Sequence, residues 1–128
     1  MIRHPYLTID VTSAARTQTI VLTGEADLLD APRIEAALKD ASDDEPGLII
    51  VDLRNLTFID SSGLQALLAG HELCRARDHE LRILPGPENV QRLFELTGMT
   101  EALPFADAAD LDAKANSPSD DTAPRARA

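Results

Sequence analysis

The sequence predicts an α/β domain, a mixed β-sheet packed against α-helices. Segments with a two-residue apolar period alternate with segments of helical period, in the order β-β-α-β-α-β-α, then a weaker strand and a short helix. One run, Leu48-Ile49-Ile50-Val51, is apolar without a break, as in a central strand covered on both faces. A hydrophobic content of 44% in 128 residues suffices for one core and falls short of two ordinary domains. The domain is predicted over 1–115 and a disordered tail over 116–128, where NSPSDDTAPRARA carries no apolar period.

Leu7, Ile9 and Val11 alternate with Thr8, Asp10 and Thr12, the signature of a half-buried strand. Thr17–Thr23 is β-branched and follows a short polar link, so the two form a hairpin. Asp30-Ala31-Pro32 starts a helix, because Pro in the first turn has no N–H to lose. Ile34, Ala37, Leu38 and Ala41 supply its apolar stripe. After the central strand, a helix from Ser62 carries Leu64, Leu67, Leu68 and His71 on one face, with Cys74 continuing it. Leu81–Leu84 is a short strand, and Pro85-Gly86-Pro87 turns into a helix over 88–97 with Val90, Leu93, Phe94 and Thr97 inward. Gly98 is its left-handed cap. Ala102–Phe105 is expected as a last edge strand, limited by Pro104, and 107–115 as a short helix.

Charge and composition narrow the function. With 22 acidic and 12 basic residues the net charge is −10, which disfavours nucleic acid and anionic membrane surfaces as partners and suits a basic protein patch. Cys74 is the lone cysteine and is expected as a small buried hydrophobe, not a reactive thiol. His4, His71 and His79 build no cluster of metal-ligand spacing, so no metal and no cofactor is expected. There is no G-x-S-x-G elbow and no Walker-type loop, which leaves no catalytic residues to assign: an enzyme is not expected. MIRHPYLTID lacks the apolar run of a signal peptide, and no stretch approaches 18 apolar residues, so a cytoplasmic location is expected.

The most informative stretch is Asp52–Leu64, DLRNLTFIDSSGL. A strand ends, a short loop follows, and Asp60-Ser61-Ser62-Gly63 opens a helix. Two hydroxyls thus lie where unpaired N–H groups and the helix dipole favour negative charge, a position suited to phosphorylation or to holding an oxyanion. The plainer alternative is a capping box in which Ser62 and Gln65 satisfy each other's backbone donors. Asp60 either orients a Ser hydroxyl or accepts loop N–H bonds as an Asx turn. Gly63 relieves the turn or admits a partner backbone. A second stretch, LTGEAD, places Glu25 and Asp27 at a strand end, as solvated turn acids or as an acidic edge of a binding face.

Together LTGEAD, FIDSSGL and the late helix VQRLFELTGM resemble the STAS domain family, in particular the bacterial anti-sigma factor antagonists. The resemblance spans roughly Tyr6 to Asp112 in the family's order and spacing. Ala26 stands where the family usually has Leu. The resemblance implies that Ser61, directly after the motif Asp, is the phosphorylated residue, with Ser62 its competitor. It implies a partner-binding face containing Glu25, Asp27, Asp60, Ser61, Ser62 and Gly63. The partner would be an anti-sigma factor with serine-kinase activity, which itself binds the ATP. Sequestering it would free a sigma factor, phosphorylation would end the binding, and a phosphatase would restore it. An alternative within the same fold is an accessory subunit of a transporter or lipid-trafficking complex, without a phospho-switch.

Overall fold

The computed structural model describes residues 6–115, so the predicted tail and His4 lie outside the described residues. Four strands form one mixed sheet in the order β1-β2-β3-β4: β1 Leu7–Ala14, β2 Thr17–Ala26, β3 Leu48–Ile59 and β4 Glu80–Leu84. β1 and β2 pair antiparallel through a turn whose Ala15 and Arg16 both adopt positive φ (50° and 65°), the geometry of a two-residue hairpin that follows strand twist. β2, β3 and β4 are parallel, joined by helices α1 Ala31–Asp43 and α2 Ser61–Ala76. Then come α3 Glu88–Leu96, a single turn α4 Met99–Ala102 and α5 Ala108–Ala115. This is the expected α/β class.

Helices α1, α2 and α3 cover one face of the sheet. The core there joins Leu7, Ile20, Leu22, Ile49, Val51 and Ile83 to Ile34, Leu38, Leu67, Cys74 and Phe94. Burial pushes the Cys74 thiol up, partly offset by the Arg77 charge, so it packs as a neutral hydrophobe. On the other face Leu48, Ile50 and Leu84 meet Leu111 of α5. Asp52 lies buried on that face and grips Arg54, two residues on, through Nε–Oδ1 and NH2–Oδ2 contacts of 3.0 Å each. At the far end of the helical layer, buried Ser42 Oγ meets His79 Nδ1 at 2.9 Å and accepts from Arg77 at 3.1 Å. His79 therefore ties α1 to the approach of β4.

Several expectations need correction. β3 runs to Ile59, far beyond Val51, and leaves no loop before the helix. Its second half hides from a two-residue period because pairing with β2 slips twice: Val21↔Asp52 is followed by Thr23↔Asn55, and Gly24↔Leu56 by Glu25↔Phe58. Each slip inserts one extra β3 residue, a bulge that resets the alternation. Leu53, Leu56 and Ile59, three apart, therefore all face the core. Gly24 sits at the second slip with φ 104°, and a Cβ there would collide with the Tyr6 carbonyl oxygen.

Ala102–Phe105 is not a strand. Met99–Ala102 is helical, and Pro104 and Ala106 hold only one parallel bridge, Ile83↔Phe105, through Ile83 N–H to Pro104 O (2.9 Å) and Ala106 N–H to Ile83 O (3.0 Å). Val11, expected inward, is 48% exposed; among the described residues no helix extends over this part of the hairpin. Thr97 is also exposed, and its hydroxyl caps the end of α3 by donating to Leu93 O at 2.8 Å. Gly98 is left-handed (φ 74°), as expected.

The Asp52–Arg54 pair predicts a pH dependence. Burial raises the Asp52 carboxyl, but hydrogen bonds from the Arg54 side chain and N–H outweigh it and hold the group below the ordinary aspartate range. A group depressed on folding stabilises fully above its unfolded value, about 4, and loses that stabilisation as pH falls through the folded value. The melting-temperature gap between the native chain and Asp52→Asn should therefore narrow steadily from pH 6 to pH 2. A gap independent of pH would show that the pair adds no linkage.

Candidate functional site

The candidate site forms where β3 turns directly into α2. The sole connecting residue is Asp60 (φ −109°, ψ −175°), extended like the strand it ends. Its N–H donates to Ala26 O at 3.1 Å, which prolongs the β2–β3 ladder to the last possible rung. Its Oδ1 accepts from the N–H groups of Ser62 (2.9 Å) and Gly63 (3.0 Å), and its carbonyl accepts from Leu64 N–H (3.0 Å). One residue thus closes the strand and satisfies three donors of the helix start. The alternative Ser62–Gln65 capping box does not form: the N-cap is Asp60, two residues earlier, and Gln65 is exposed. Of the two readings of Asp60, backbone acceptance is the one its carboxylate makes.

That cap fixes the two serines differently. Ser61 is the first residue of α2 and is exposed, whereas Ser62, the next, is half-buried. Gly63 is buried against β2 and β3; a Cβ would stand 2.9 Å from Ile59 Cγ1 and 3.0 Å from Ala26 O. Gly63 is there for close helix-to-sheet packing, and its face points inward, away from any partner. A phosphoryl group on Ser61 would not find an empty helix terminus. The Ser62 and Gly63 donors are already held by the Asp60 carboxylate, whose charge repels a second anion and turns it outward.

The acidic strand end shares this corner. Glu25 pairs with Phe58 and Ala26 with Ile59, so Asp27 emerges beside Asp60. Glu25 is exposed. Asp27 is half-buried and works in the turn: its Oδ1 accepts Leu29 N–H (3.0 Å) and its carbonyl accepts Asp30 and Ala31 N–H (3.0 and 3.1 Å), shaping the entry to α1. Asp30 follows, buried and paired with Arg33 at 2.9 Å.

The same corner displays an apolar group that sequence reasoning missed. Leu28 is 67% exposed, Leu29 61% and Phe58 44%. Leu28 and Leu29 lie in the Asp27–Ala31 turn, and Phe58 is turned outward by the second β3 slip. Their signal in the sequence was two adjacent leucines outside any periodic segment, ahead of a helix-opening Asp-Ala-Pro. Six expected site residues therefore divide: Glu25 and Ser61 are at the surface, Asp27, Asp60 and Ser62 are partly covered, and Gly63 is inside. Among the described residues no group of three or more His, Cys, Asp or Glu side chains could hold a metal ion, and no helix is long and apolar enough to cross a membrane.

The chain as a whole is similar to known proteins. The family model described as "Mlab, STAS domain" matches residues 9–105. The anti-sigma-B factor antagonist of Staphylococcus aureus (strain NCTC 8325 / PS 47) is 30% identical over 97 residues, 76% of this chain and 90% of that protein. The crystal structure of an anti-sigma factor antagonist from Mycobacterium paratuberculosis superposes with a TM-score of 0.75 at 25% identity, covering 85% of this chain and 92% of the other. A sulfate transporter family protein from Wolinella succinogenes shares the fold at 22% identity, with a TM-score of 0.67 over 81% of this chain and 88% of the other. The chain belongs to the STAS domain family and, within it, to the anti-sigma factor antagonists.

The cap makes a direct prediction. Asp60→Ala should destabilise the domain by about 1–2 kcal/mol, and Asp60→Asn by much less, since the amide oxygen still accepts both N–H bonds. Denaturant titration checks it; equal losses for Ala and Asn would mean that the charge, not the hydrogen bonds, does the holding.

Proposed function

We propose that this chain binds an anti-sigma factor with serine-kinase activity, and that phosphorylation of Ser61 by that partner releases it. The binding protects a sigma factor from capture, ATP is bound by the partner, and a separate phosphatase resets the serine. The observation that carries this reading is the exposed Ser61 hydroxyl on the first residue of α2, beside exposed Leu28, Leu29 and Phe58. Supporting it, the relatives at 30% and 25% identity are anti-sigma antagonists, whereas the transporter-family likeness, at 22%, speaks for the fold alone.

The chemistry is a change of charge on a surface prepared for apolar contact. Leu28, Leu29 and Phe58 offer desolvated area, and Glu25 gives an acidic rim for basic partner residues. Phosphate adds a charge of about −1.5 to −2 at Ser61. Because Asp60 holds the Ser62 and Gly63 donors, the phosphate gains little from them and projects into the interface. There it must be desolvated against a partner fitted to a neutral hydroxyl, so affinity falls while the fold is kept. Asp60, Ser62 and Gly63 act through placement: the first caps, and the third sets the helix close to the sheet.

The partner kinase with ATP should label Ser61 and no other residue. Ser61→Ala should bind and stay unlabelled, and Ser61→Glu should bind more weakly, though less so than the phosphoprotein. Leu29→Asp should lower affinity at least about tenfold without shifting the melting temperature by more than about 2 °C. Phosphopeptide mapping and calorimetric titration check these. Label on Ser62, or none with a demonstrated partner kinase, would overturn the assignment.

A further inference from the structure

The outer edge of β1 is an open hydrogen-bonding surface of defined register. Glu25 N–H donates to Tyr6 O at 2.8 Å. Hydrogen-bonded residues alternate along an antiparallel pair, so Thr8, Asp10 and Thr12 exchange bonds with Thr23, Val21 and Thr19 of β2. The odd-numbered Ile9, Val11 and Ser13 then direct N–H and C=O away from the sheet. Leu7 obeys the same parity, and its outward carbonyl is taken by Arg33 NH1 at 2.9 Å. Among the described residues no other strand pairs with this edge. The usual protections are missing too: residues 7–14 contain no Lys and no Pro, and Asp10 is their one charge. Val11, at the middle of the open stretch, is 48% exposed.

We infer that this edge pairs with the same edge of a second copy, antiparallel about a two-fold axis through Val11. That register sets Val11 opposite Val11 of the second copy and Ile9 opposite Ser13 of the second copy, each pair exchanging both N–H···O bonds. Asp10 then faces Thr12 of the second copy, so no like charges stand opposite each other. Other registers either set like charges opposite each other or leave open groups unused. Centring on Asp10 sets the Asp10 carboxylates of the two copies opposite each other, and centring on Thr12 leaves Ile9 opposite Ala15, outside the strand. Centring on Ile9 needs the Leu7 carbonyl that Arg33 holds. Centring on Ser13 needs Ala15, which has left the strand with φ 50°. Val11 is thus the centre that uses every open residue.

The contact is lateral, and it leaves Ser61, Leu28, Leu29 and Phe58 at the ends of β2 and β3 uncovered. It is also small, so association is weak, and a charge of −10 on each copy opposes it. Salt should therefore strengthen it.

Sedimentation equilibrium of the full chain, from roughly 10 μM to about 1 mM, tests the inference. The native chain should show a monomer–dimer equilibrium that shifts toward dimer between low and high salt. Val11→Lys and Val11→Glu should each stay monomeric while retaining the native melting transition, because each sets like charges across the axis. An equimolar mixture of the two should pair again. A native chain that is monomeric throughout, an association that Val11→Lys leaves intact, or a mixture that fails to pair would each overturn the Val11-centred pairing.

Discussion

The carboxylate of Asp60 is the constraint on which the site rests. It stands between a strand and a helix with no loop to absorb error, so its two hydrogen bonds to Ser62 and Gly63 set the direction in which α2 leaves the sheet. Its own N–H, bound to Ala26, fixes the same corner to β2. Ser61, sandwiched between these fixed residues, has little backbone choice: its hydroxyl must emerge at the surface. The buried Gly63 completes the device, since a side chain there would press on Ile59 and on the Ala26 carbonyl and lift the helix from the sheet.

A local modification can act through such a corner only if the corner does not yield. The Ser62 and Gly63 donors are occupied by Asp60, so added charge at Ser61 gains little from them. In the proposed switch the cost appears at the interface, where apolar Leu28, Leu29 and Phe58 would otherwise be covered. This differs from a phosphate that nucleates a helix by taking the N-terminal donors itself. Asp27 contributes in kind: its carboxylate shapes the turn that presents the two leucines.

Much of this was legible in the sequence, and what was not has a common cause. The strands read over 7–12 and 17–23, the helix opening at Asp30-Ala31-Pro32 and the left-handed Gly98 follow from period and turn chemistry acting locally. The apolar run at 48–51 announced a central strand, yet its continuation to Ile59 was masked by two register slips that convert alternation into a spacing of three at Leu53, Leu56 and Ile59. The same slips decide that Phe58 faces out, which no local pattern announces. The cap stayed open in the sequence because Ser62 with Gln65 and Asp60 with its own downstream donors are both sound local solutions. The strand ladder reaching Ile59 selects the second. Pro104 hinted that residues 102–105 would pair poorly, and they keep one bridge to Ile83.

Position and chemistry of Ser61 thus derive from a cap, two bulges and one close glycine contact, and the central claim is that the switch works without refolding. Backbone hydrogen exchange on the chain, with Ser61 unmodified and then stoichiometrically phosphorylated, tests it most directly. The account predicts equal protection along β3 and through α2 in the two forms, with changes confined to the first turn of α2 and the Asp27–Ala31 turn. Loss of protection through α2 on phosphorylation would contradict it, because the Asp60 cap would then be part of what the phosphate breaks.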